Sequence, residues 1–135
     1  MAKRGRDTRD VDKAYGRKRL ANARAFMTQA KTSAETARDE FDRAAAASSA
    51  ILAAIAAADA ACAQRLAQVW KGDLGQAHTL LRSVAGGEAA ASALQNVVGQ
   101  KAALQYGGES LTEPKLTAIV RRAQTVLDFA EDLQH

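Results

Sequence analysis

Residues 41–70, FDRAAAASSAILAAIAAADAACAQRLAQVW, decide the fold. Phe41, Ala45, Ser48, Leu52, Ile55, Asp59, Cys62, Leu66 and Val69 recur at alternating spacings of four and three. That period stacks side chains along one side of an α-helix as a heptad-like seam. Of the twenty residues 44–63, thirteen are alanine, which leaves the backbone thinly covered and lets neighbouring helices approach closely. The stretch is therefore expected to be the packed central helix of a bundle, with Trp70 as one large anchor and Gly72 as its stop. Two polar residues interrupt the seam. Ser48 can satisfy its hydroxyl on the carbonyl one turn back, whereas a buried Asp59 needs a donor or a cation.

The flanking sequence supplies four more helices. Leu20, Ala23, Met27, Ala30 and Ala34 fall on one face of a first helix. Thr32 and Glu35 have capping-box spacing, which predicts a break between residues 32 and 40. Beyond Gly72, Asp73 and Gln76 form a second capping-type pair. They open a short helix that carries Leu74, Ala77, Leu80, Leu81 and Val84 and ends at Gly86 and Gly87. A fourth helix over about residues 88–106 puts Ala90, Leu94, Val97, Lys101 and Leu104 on one stripe, before Gly107 and Gly108. Ser110 and Thr112 compete as N-caps of the last helix, where Pro114 takes the tolerated first turn. Its apolar face is Leu116, Ile119, Ala123, Val126, Leu127, Ala130 and Leu133.

The rest of the composition agrees. The chain has 135 residues, 47% hydrophobic and 4% aromatic, a balance that suits helix-on-helix packing rather than a β-sandwich. Neither glycine nor proline occurs in residues 17–71, which permits long helices. The longest uninterrupted apolar run, residues 50–58, is too short to span a bilayer, and the N-terminus has no apolar signal core. The expected organisation is a basic, flexible arm over residues 1–10 followed by a single all-α, up-and-down bundle of about five helices over residues 11–135. The expected location is the cytoplasm, away from any membrane.

Little chemistry is on offer. Cys62 is the only cysteine and lies on an apolar helix face, so it is expected to be a buried thiol. His78 and His135 are the only imidazoles, and neither has a second ligand at metal-binding spacing. His78 is expected to be a half-buried polar residue rather than a general base. No metal site and no cofactor are expected. Charge is uneven, however: residues 1–24 hold nine Lys or Arg against three Asp, while the whole chain carries a net charge of +4. Lys3, Arg4, Arg6, Arg9, Lys13, Arg17, Lys18, Arg19 and Arg24 are candidates for neutralising nucleic-acid phosphates, unless they are simply a solvated basic tail running into the exposed face of a first helix.

Three phrases taken together are more specific. Residues 56–63 (AAADAACA), 76–81 (QAHTLL) and 101–107 (KAALQYG) resemble, in order, the small bacterial members of the HEPN family. The resemblance covers roughly residues 20–130. It implies a helical bundle that dimerises through the helices bearing its motif, and many such domains are metal-independent RNases of toxin–antitoxin and phage-defence systems. The family signature is a basic residue followed four or five positions on by a histidine. Here Lys101 stands at the basic position and Tyr106 at the flank, with Gln105 in place of the histidine and Ala102 where a small polar residue is usual. Asp59 resembles an acidic residue that some members direct toward the same site.

The substitution has a physical consequence. Metal-free RNA cleavage needs a group to take the proton of the 2′-hydroxyl and a cation to stabilise the phosphorane, and glutamine does not titrate. Lys101 is either that cation or a snorkelling residue paired with a buried Asp59. The expected function is therefore a HEPN-like domain with a degenerate motif (Lys101, Gln105, Tyr106, with Asp59 nearby) and no catalysis. It would be a homodimer binding RNA, through Arg17, Lys18, Arg19, Arg24 and Lys101, or a cognate partner protein. The rivals are an active endoribonuclease that uses His78 or another subunit's residue, and an adaptor that binds only protein.

Overall fold

A computed structural model of the chain describes residues 7–106 and 110–134, with side chains at all of these except Gln105 and Tyr106. Five helices form a bundle: α1 (Lys13–Glu35), α2 (Glu40–Leu66), α3 (His78–Arg82), α4 (Glu88–Tyr106) and α5 (Glu113–Asp132). Two short strands, β1 (Thr8–Asp10) and β2 (Gln68–Trp70), clip one end of it. The all-α bundle expected from the sequence is the fold observed.

Helices α1, α2 and α5 each begin at a residue whose side chain satisfies an orphan amide of the first turn. Asp12 accepts from Tyr15 N at 2.8 Å, Asp39 from Asp42 N at 2.9 Å, and Thr112 from Lys115 N at 3.4 Å. The break between the first two helices falls at residues 36–39, where Thr36 turns both its amide and its hydroxyl back onto the carbonyl of Thr32. The short third helix is split, with a 3-10 turn over Leu74–Gln76 ahead of α3. Gly86, at φ +79°, ends the segment in the left-handed conformation glycine tolerates best.

Helix α2 lies at the centre, packed on α1, α4 and α5. Its buried face is mostly alanine, from Ala46 to Ala63, with Ile51 and Cys62. Bulk comes from the surrounding helices through Leu20, Met27, Leu81, Leu94, Val97, Leu116, Ile119, Val126 and Leu127. Close approach is essential to this arrangement. At Gly16 of α1, a Cβ would stand 3.0 Å from the Cβ of Ala63. By length and composition α2 is apolar enough to cross a membrane, with a mean hydropathy of 1.7 over its most apolar window, although the longest uninterrupted apolar run is short. Of that window, 67% is buried against the rest of the bundle.

Three expectations need correction. The central helix does not run to Trp70 and Gly72: Ala67 enters the left-handed region at φ 55°, and Gln68–Trp70 become β2. The arm does not extend to residue 10, because Thr8, Arg9 and Asp10 pair antiparallel with Trp70, Val69 and Gln68. Val69 and Thr8 are buried in this ribbon, which exchanges the amides of Val11 and Lys71 with the carbonyls of Ala67 and Asp7. Residues 1–6 of the expected arm lie outside the described residues. Lastly, the heptad-like seam is not wholly inward. Phe41, Ala45, Ser48 and Leu52 face solvent while the alanines beside them form the core.

Candidate functional site

Along α1 the inward positions are Gly16, Leu20, Ala23, Met27 and Ala30. Helical geometry therefore turns Lys13, Arg17, Arg24 and Lys31 outward within about 40° of one another, while Lys18 stands about 100° further round the helix from Arg17. All five are exposed. The stripe runs about 27 Å from Lys13 to Lys31 at 1.5 Å per residue. Among the described residues no ion pair engages Lys13, Arg17, Lys18 or Lys31. Arg24 pairs with Glu131 of α5 at 3.3 Å but keeps 55% of its side chain exposed. Next to the start of the stripe, the Arg9 guanidinium lies 5.1 Å from the centroid of the Tyr15 ring.

Arg19 differs from its neighbours. Its Nε donates to Asp59 Oδ2 at 3.2 Å, an ion pair only 23% and 18% exposed on its two sides. Burial pushes the Asp59 carboxyl above the usual range, and the opposing attraction of Arg19, with a smaller one from Arg9, does not cancel it. One turn further along α2, burial and the Asp59 charge together push the Cys62 thiol up to about 12. That thiol is buried and stays protonated at neutral pH, hence unreactive. Asp59 and Cys62 line a cavity of about 60 Å³ with Ile55, Trp70 and Leu94, enough for a water or two but not for a nucleotide.

Lys101 stands elsewhere. It is exposed on α4, at the rim of an open groove of about 230 Å³ lined by Ser48, Ile51, Leu52, Ile55 and Leu104. Ile55 borders both this groove and the Asp59 cavity. The expected partnership of Lys101 with Asp59 is thus corrected: the cation that satisfies Asp59 is Arg19. The core-facing placement of Lys101 is corrected as well, since α4 buries Ala90, Leu94 and Val97 but leaves the turn at residues 101–103 exposed. The side chains of Gln105 and Tyr106, and the whole of His135, lie outside the described residues.

His78 opens α3 half-buried, and its buried Nδ1 has no hydrogen-bond partner among the described residues. Among the described residues no group of three or more His, Cys, Asp or Glu is placed to hold a metal ion. Of the five α1 cations expected to meet phosphate, Lys13, Arg17 and Lys18 are unpaired on the surface, Arg24 is shared and Arg19 is consumed inside. Lys31 was not singled out in sequence, although its distance of seven residues from Arg24 carries the same periodicity. The arrangement can hold an anionic chain along α1 by charge alone. No family model, no curated protein and no solved structure matches this chain.

Proposed function

We propose that the protein is a HEPN-like helical bundle that binds RNA through its phosphates and does no chemistry on it. The outward basic stripe of α1 is the single observation that carries this reading. Its four cations, Lys13, Arg17, Arg24 and Lys31, span about 27 Å at 1.5 Å per residue, the reach of several nucleotides of backbone, with Lys18 exposed further round the same helix. Such contacts fix position without reading sequence, so base preference is slight. RNA rather than DNA, and a place in a toxin–antitoxin or phage-defence type of system, rest on the resemblance of residues 56–63, 76–81 and 101–107 to that family. A protein-only role is the second reading. The observation that favours it is the apolar face of α2 left open at Phe41 and Leu52.

Fluorescence anisotropy with a labelled single-stranded RNA at low salt tests the first reading. Arg17→Ala with Lys18→Ala is expected to weaken binding about tenfold, at roughly half a decade per lost phosphate contact. Binding that is absent in the unmodified chain, or unchanged in the double variant, would overturn it.

A further inference from the structure

We propose that the groove between α2 and α4 binds a small aliphatic carboxylate, the hydrocarbon chain lying on its apolar walls and the carboxylate on the Lys101 ammonium. One wall is α2, where Ser48, Leu52 and Ile55 follow one another at spacings of four and three, with Ile51 beneath them. The other is α4, through Lys101 and Leu104 one turn apart. Ile51 is 2% exposed and closes the floor, whereas Leu52 is 45% exposed and forms a lip that nothing among the described residues covers.

Charge and size together select the occupant. Lys101 is the one charged residue of the lining, and among the described residues no carboxylate pairs with it. Ser48 is the one other polar side chain there, and its hydroxyl stands free to donate a second hydrogen bond to the same carboxylate. Everything else in the lining is aliphatic. A single cation above an aliphatic trough suits a ligand with one negative charge and an unbranched apolar tail. It does not suit a phosphate, which takes several donors at once. The volume of about 230 Å³ holds a chain of up to about eight carbons, at roughly 30 Å³ for each water-sized group. None of these residues belongs to the stripe on α1, so the proposal stands apart from RNA binding.

Titration of the isotope-labelled full chain with butanoate, hexanoate, octanoate and decanoate at pH 7, followed by amide chemical shifts, reads the outcome. Each methylene that leaves water strengthens binding by up to about fourfold, so affinity is expected to climb steadily to octanoate and to level off at decanoate, once the groove is full. Ser48→Phe fills the trough and should weaken octanoate binding more than about tenfold. Lys101→Met should weaken octanoate about fivefold, the share of a partly exposed ion pair, and leave the matching neutral alcohol unaffected. Both positions are exposed, so the helical circular dichroism of either variant should match that of the unmodified chain. Absence of octanoate binding would overturn the proposal, as would binding that Ser48→Phe leaves unchanged. Equal weakening of acid and alcohol by Lys101→Met would overturn the role of the ammonium.

Discussion

Arg19 follows Gly16 by three residues and precedes Ala23 by four, which puts it at the edge of the inward face of α1 and within reach of Asp59. The need of Asp59 for a cation was legible from its place on an apolar seam. The identity of the cation was not, because Arg19 sits among eight other basic residues in the first 24 and looks like one more solvated charge. The pair has a pH signature. Since Asp59 holds its proton more tightly folded than unfolded, its contribution to stability is largest in acid. It declines as pH rises from the ordinary carboxylate value through the raised folded one. Arg19→Met removes the attraction that limits this shift. The variant should lose about 2 kcal/mol at pH 7, where a partly buried carboxylate is left uncompensated, and clearly less near pH 4, since a carboxyl held above its ordinary range takes up its proton as the pH falls. Urea denaturation at both pH values checks this, and an equal loss at both would show that the pair is not felt.

The same scale holds the question of catalysis. Gln105 cannot take a proton from a 2′-hydroxyl, and acid–base help is worth a factor of about a hundred to ten thousand. The unmodified chain should therefore leave a structured RNA intact in EDTA, and Gln105→His should gain weak cleavage leaving cyclic-phosphate ends. Cleavage by the unmodified chain that survives Lys101→Ala would contradict the assignment.

At the level of elements, the sequence located all five helices, and the apolar face of α5 is buried as expected apart from a half-buried Leu133. It misjudged α2 because thirteen alanines in twenty residues make several faces equally apolar, so the 3–4 period marked a seam without saying which side was inside. The structure puts alanine where α1 and α5 press closest and leaves the bulkier Phe41 and Leu52 outward. The β1–β2 clip escaped notice for another reason: two strands of three residues are too short to display alternation. At Gly16 helices α1 and α2 come close enough that a Cβ would stand 3.0 Å from that of Ala63. Gly16→Val should force α1 away from α2 and cost about 1–3 kcal/mol, read as a lower melting temperature. A variant as stable as the unmodified chain would mean that the two helices are not held so closely.

For the whole molecule, composition and periodicity sufficed to predict a single helical bundle, because alanine-rich segments free of glycine and proline over residues 17–71 leave few other ways to bury apolar surface. The site was less legible. Which cations remain free depends on where Asp59 and Glu131 fall in three dimensions, and they pair Arg19 in a largely buried bridge and Arg24 in an exposed one. What survives on α1 is a stripe of Lys13, Arg17, Arg24 and Lys31, with Lys18 exposed about 100° round the helix from Arg17. The most direct test of its role is the salt dependence of single-stranded RNA binding. Each neutralised phosphate of a single strand contributes about 0.7 to the slope of log K against log salt, so five cations predict a slope near −3.5, falling to about −2 in the Arg17→Ala, Lys18→Ala variant. A slope near zero, or one that the two substitutions leave unchanged, would contradict the account.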